Sequence, residues 1–200
     1  MTLTVFSDLI NKIFSSFDSS LLGACHSAAE HAGAILTPLS RAVTFIGEKG
    51  IIFFALALLL VMFKKTRRTG VCLFGAVCCG ALIGNIILKD LVARPRPLTT
   101  WWSFVGSPAE DGFSFPSGHV TAAMAGVTAL CLSCRSKTVL LGYIYVLLMA
   151  FSRCYLMAHY PSDVIAAMII GGISAVIAFF IAKWIFILLE KHREKRLFGF

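Results

Sequence analysis

Long uninterrupted apolar runs leave this chain few ways to fold. Residues 50–63, 70–88, 118–134 and 164–182 contain no Asp, Glu, Lys or Arg, and 138–158 is apolar up to Arg153. A helix needs roughly 20 mostly apolar residues to cross a ~30 Å hydrocarbon core, and each run reaches that with a few flanking residues. Inside a bilayer every backbone polar group must be bonded within the segment, which selects helices. The expectation is an all-α, polytopic membrane bundle of five spans. Apolar residues at 58% and charged ones at 14% exclude an ordinary soluble chain. The net charge of +8 sits in short clusters between the runs, and no nucleic-acid signal accompanies it.

Those clusters orient the bundle. KKTRR (64–68), RSK (135–137) and KHREKR (191–196) share one side if each run crosses once. Cytoplasmic loops carry the excess of Lys and Arg, so that side is cytoplasmic and 89–117 and 159–163 meet on the extracytoplasmic face. Ahead of the spans, Phe6, Leu9, Ile10, Ile13, Phe14 and Phe17 recur at helical spacing, as in an amphipathic helix lying on the membrane. Residues 21–46 read as one or two helices packed on the bundle, with a sixth span as the alternative. Residues 1–48 are therefore expected to form membrane-associated helices and 49–200 the embedded domain. No basic start followed by an apolar core opens the chain, so no cleavable leader is expected.

Small residues recur every fourth position at Ala76, Gly80, Gly84; at Gly118, Ala122, Gly126; and at Ala167, Gly171, Ala175. Such faces allow close helix approach, and the three spans are expected to touch. Of seven cysteines most lie in apolar runs and read as small apolar residues. Cys131 and Cys134 form a C-x-x-C without further zinc ligands nearby. His26, Glu30 and His31 are read as a polar helix face rather than metal ligands.

Three polar stretches interrupt the apolar pattern. SRCYLMAHYPSD (152–163) places Arg153, His159 and Asp163 at the membrane edge, where ionisable groups are costly and mark function. The four-residue spacing lets Asp163 accept a proton from one imidazole nitrogen and leave the other basic. Arg153 suits phosphate; a helix end with a snorkelling arginine is the plainer alternative. KDLVARPRP holds Lys89, Arg94 and Arg96, with lipid-headgroup contact as the alternative for Arg94. Pro95 and Pro97 disfavour a regular helix through the second turn between Lys89 and Arg96. FSFPSGHV ends in Ser117, Gly118 and His119 at the opening of a span, where unsatisfied N–H groups favour an anion. His119 can donate a proton to a leaving oxygen there. Trp101, Trp102, Phe104, Phe113 and Phe115 are interface anchors or a lipid-facing lid.

Together the stretches read Lys89-x6-Arg96-Pro97, Pro116-Ser-Gly-His119 and Ser152-Arg153-x5-His159-x3-Asp163. The chain resembles the type 2 phosphatidic acid phosphatase superfamily, membrane lipid phosphatases whose core is shared with vanadium haloperoxidases. The resemblance implies that His159 attacks phosphorus, Asp163 orients it, and His119 protonates the leaving group and later activates water. Lys89, Arg96, Arg153, Ser117 and the Gly118 backbone would hold the phosphoryl oxygens, without metal or other cofactor. It implies a lipid phosphate substrate in a bacterial plasma membrane: undecaprenyl diphosphate, phosphatidylglycerol phosphate or phosphatidic acid. Transfer of the phosphoryl group to another lipid, or lipid binding without catalysis, are the competing functions.

Overall fold

The computed structural model describes residues 4–97, 112–134 and 137–198, without the side chains of Lys49 and of 193–198. Trp101, Trp102, Phe104, Arg135 and Ser136 lie outside the described residues. All regular structure in the described part is helical. Helix α1 is Val5–Ile46. A 3-10 turn, Glu48–Gly50, leads into α2, Ile51–Met62. Helix α3, Arg67–Ala81, passes into a π-helical stretch, Leu82–Leu88, and the short α4, Lys89–Val92. Then come α5, Gly118–Ser133, α6, Gly142–Tyr155, and α7, Pro161–Phe198.

Among the described residues four stretches are long and apolar enough to cross a membrane: Val5–Met62, Arg67–Val92, Lys137–Tyr155 and Pro161–His192. Helix α5 is apolar but shorter. The first expected span is thus the 12-residue α2, which continues from α1 through the 3-10 turn.

From Val5 onward the two expected segments form one helix, α1, bent at Ala32 (φ −131°, ψ 16°). Beside the bend, the His31 ring bonds the Ser27 carbonyl at 2.8 Å, a side chain entering the ladder. The apolar stripe of the first half faces outward, with Phe6, Leu9, Ile13, Phe14 and Phe17 exposed. Its polar side turns to the protein: Ser7 and Asp18 are buried, and the Thr4 hydroxyl donates to the Val92 carbonyl. Further along, Thr37 bonds the Tyr155 hydroxyl at 2.9 Å and Thr44 bonds Ser152 at 3.2 Å. Thus α1 lies against α6 along much of its length.

The small-residue faces do bring α3, α5 and α7 together. A Cβ on Gly171 would stand 2.6 Å from the Thr121 carbonyl, and one on Gly80 3.0 Å from the Thr121 methyl. Gly126 serves a different neighbour: Phe53 of α2 fills the space at 2.3 Å. All seven cysteines are free thiols. His26 and Glu30 pair along α1 at 3.5 Å.

The bundle has two chemically distinct ends. At one, Arg68 pairs with Glu190 and lies 5.3 Å from the Phe186 ring centroid, beside Ser133 and Lys183. The basic segment 64–68, the end of α5 and the later part of α7 therefore meet. The polar stretches around Lys89, His119 and His159 gather at the other.

Candidate active site

Helix α7 begins at Pro161, whose fixed φ and missing N–H suit a first helical position. Tyr160 is its N-cap: the Tyr160 carbonyl accepts from the N–H groups of Asp163 and Val164, and the Asp163 carboxylate takes the Tyr160 N–H at 3.1 Å. Asp163 thus reaches back from its own helix to the turn that precedes it. His159 therefore sits in the turn before the helix. Met157 there has φ 53°, and the Arg153 carbonyl accepts from the N–H groups of Ala158 and His159.

That placement overturns the expected contact between His159 and Asp163. Four-residue spacing aligns side chains only within a helix, and the helix starts after His159. Instead, His159 Nδ1 donates to the Ser114 carbonyl at 2.6 Å. A carbonyl only accepts, so the proton is on Nδ1 and Nε2 keeps its lone pair. Arg96 Nη1 faces Nε2 at 3.4 Å and donates to the Ala158 carbonyl at 2.9 Å. Asp163 holds Ser114 rather than the imidazole, taking the Ser114 hydroxyl at 2.5 Å.

Behind this pair lies a buried ionic cluster that the sequence reading missed. Arg94 is 1% exposed, so it is no headgroup contact. Its guanidinium donates to Asp163 at 2.6 Å, Asp18 at 2.8 Å, Ser162 Oγ at 2.8 Å and Asn11 at 2.8 Å. It also stacks 3.8 Å from the Tyr160 ring centroid. Asp18, brought from α1, accepts from the Ser162 N–H at 2.9 Å and the Ser162 hydroxyl at 2.7 Å. Two carboxylates and the paired hydrogen bonds meet the requirements of a buried guanidinium. In the sequence Asp18 stands among serines of an amphipathic stretch, where a carboxylate is commonplace.

In front of His159 is a cavity of about 340 Å³ lined by Lys89, Arg96, Gly118, His119 and His159, with Asn85, Thr121 and apolar Phe54, Val77, Ala81 and Ala122. Five of the eight predicted site residues line it. Ser117, Arg153 and Asp163 stand behind, each buried. Ser117 begins α5 without capping it through its side chain, and its hydroxyl is buried with no partner among the described residues. A buried hydroxyl without a partner is costly, and one at a helix N-terminus fits an incoming anion. A Cβ on Gly118 would meet the Asn85 amide at 2.8 Å and make that side chain swing aside.

The cations act on His159 through space. Burial foremost, then the charges of Arg153, Arg96 and Lys89, hold the imidazole pKa well below its ordinary value, against the Ser114 bond. His159 is thus a neutral base lining a cationic cavity, its Nε2 lone pair met by the long 3.4 Å contact from Arg96. The arrangement suits attack by Nε2 on an electrophile bearing anionic oxygens, with His119 within the same cavity to manage a proton.

The family model of the PAP2 superfamily matches residues 69–187. An undecaprenyl-diphosphatase of Sulfolobus acidocaldarius is 29% identical over 144 residues, 68% of either chain. A decaprenylphosphoryl-5-phosphoribose phosphatase of Mycobacterium tuberculosis is 34% identical over 66% of this chain and 73% of its own length. The crystal structure of a transmembrane PAP2-type phosphatidylglycerolphosphate phosphatase from Bacillus subtilis superposes with a TM-score of 0.61, covering 90% of both chains at 23% identity, which speaks to the fold.

Proposed function

The chain belongs to the PAP2 superfamily, and on that footing we propose that it hydrolyses the terminal phosphate of a membrane lipid through a phosphohistidine on His159. The observation that carries this reading is the meeting of His159, His119, Lys89 and Arg96 on one cavity. His159 Nε2 forms a bond to phosphorus as the bond to the leaving oxygen breaks, and His119 gives that oxygen its proton. Water then attacks phosphorus and passes a proton to His119. The P–N bond breaks, inorganic phosphate leaves and His159 is regenerated.

Lys89, Arg96 and Arg153 supply the positive charge that phosphoryl transfer asks for, together with Ser117 and the Gly118 N–H. With these cations in place the proposed reaction needs no metal. A polyprenyl diphosphate is the favoured substrate, in keeping with the undecaprenyl-diphosphatase relatives. Its headgroup meets the cations and its tail the apolar lining. The basic end around Arg68 and Lys183 is assigned to the cytoplasm, which puts the cavity on the extracytoplasmic face of a bacterial plasma membrane.

The test is phosphate release by purified protein in detergent with a chelator present. The panel is undecaprenyl diphosphate, phosphatidylglycerol phosphate and phosphatidic acid, with His159→Ala as control. Release that disappears in the variant supports the reading. Equal release by both proteins refutes it, and loss of release on chelation, restored by metal, refutes its metal-free form.

A further inference from the structure

Val77, Ala81, Asn85 and Lys89 follow one another at four-residue intervals, and all four line the cavity. The wall they make is graded. Two apolar side chains give way to a neutral amide and then to a cation. Asn85 stands on the π-helical stretch Leu82–Leu88, a kind of local widening that recurs at functional sites. It is an exposed amide inside the apolar stretch Arg67–Val92, and it bonds no other described residue. A polar group left unbonded at membrane depth is unfavourable unless something bonds it. Its Oδ1 and Nδ2 lie 2.8 and 3.2 Å from where a Cβ on Gly118 would stand, beside His119.

A lipid phosphate laid along this wall puts the transferred phosphoryl group at Lys89 and its tail at Val77 and Ala81. Asn85 then faces the link between them, on the His119 side where the leaving oxygen departs. We propose that Asn85 is a specificity-determining residue that binds the leaving fragment, and that the fragment it fits is a second phosphate. The Asn85 NH2 group donates to the oxygens of that phosphate. This inference rests on the phosphatase reading above. With a monophosphate on the same tail, the atoms facing Asn85 are carbon, and the amide contributes little.

The experiment compares prenyl diphosphate and prenyl monophosphate of one chain length, with Asn85→Leu and Asn85→Ala as variants. Size-exclusion profiles in detergent identify which variant is folded. For the diphosphate kcat/KM should fall about 10- to 100-fold, the effect of removing a hydrogen bond to a charged group. For the monophosphate it should change by less than about 3-fold. An equal fall on both compounds would make Asn85 merely structural, and unchanged diphosphate turnover would remove it from the site; either overturns the inference. Failure of the unaltered chain to release phosphate from either compound overturns the phosphatase reading and this inference with it.

Discussion

Asp163 is joined to His159 through Ser114, whose hydroxyl donates to the carboxylate at 2.5 Å while its carbonyl accepts from His159 Nδ1 at 2.6 Å. The carboxylate thus orients the imidazole from one residue away. Where a carboxylate holds a catalytic histidine directly, its loss as the amide costs about 10⁴ in kcat. A partner one step removed is expected to cost about 10- to 100-fold. Asp163→Asn and Ser114→Ala should both fall in that range, with KM little changed. A 10⁴-fold loss in Asp163→Asn would mean that the carboxylate contacts the imidazole during turnover.

The depressed pKa of His159 sets an expectation for pH. A histidine whose folded pKa lies below its unfolded value of about 6.5 adds stability that is fully present above 6.5. That stability is lost as pH falls from 6.5 toward the folded value. In its proposed role as nucleophile, His159 likewise stays neutral as pH falls below 6.5, so the acidic limb of kcat/KM that belongs to it should lie below 6.5. Arg153→Gln removes the largest of the charge contributions and should move that limb upward. A limb that stays in place on this substitution would assign it to another group.

Asp18 ties α1 to the cavity end of the bundle through its pair with Arg94, 2% and 1% exposed. Removing one partner of a buried ion pair costs about 3–5 kcal/mol. Asp18→Ala should therefore lower the melting temperature in detergent markedly. Asp8→Ala, on the exposed side of the same helix, should change stability by no more than about 0.5 kcal/mol. Equal melting of the two variants would show that α1 is held by other contacts.

Gly171 has backbone on its open side, with the Thr121 carbonyl 2.6 Å and the Ala125 nitrogen 3.0 Å from a would-be Cβ. Backbone cannot rotate away as a side chain can. Gly171→Ala should push α5 from α7 and destabilise by about 1–3 kcal/mol, read from thermal unfolding. At Gly172 the nearest atom is the flexible Met124 methyl at 3.7 Å. Gly172→Ala should be close to neutral, and the reverse order would contradict the packing.

Several features were legible without coordinates because they depend on composition along the chain. Apolar runs force helices in a bilayer, and the small residues at Gly80 and Gly171 already marked the faces that touch. Lys89, Arg96, His119 and His159 stood out because charge and imidazole are costly near a membrane, and Gly118 because it opens a span; the structure brings all five to one cavity. Asn85 carried the same kind of signal, a polar residue inside an apolar run, and was passed over because a single amide costs less than a charge.

The partnerships among these groups were decided by tertiary structure. Spacing along the chain predicted a contact between His159 and Asp163, but spacing holds only on a continuous helix, and Pro161 starts α7 after His159. Ser114 and Asp18 reach the site from 45 and 144 residues away from the groups they bond. Arg94 looked like a surface cation until α1 turned its polar side inward to meet it. Chemistry along this chain is written locally, in which residues a membrane will tolerate. The orientation of His159 comes from segments that meet only in the folded bundle, where a buried charge must find its counter-charge wherever in the sequence it lies.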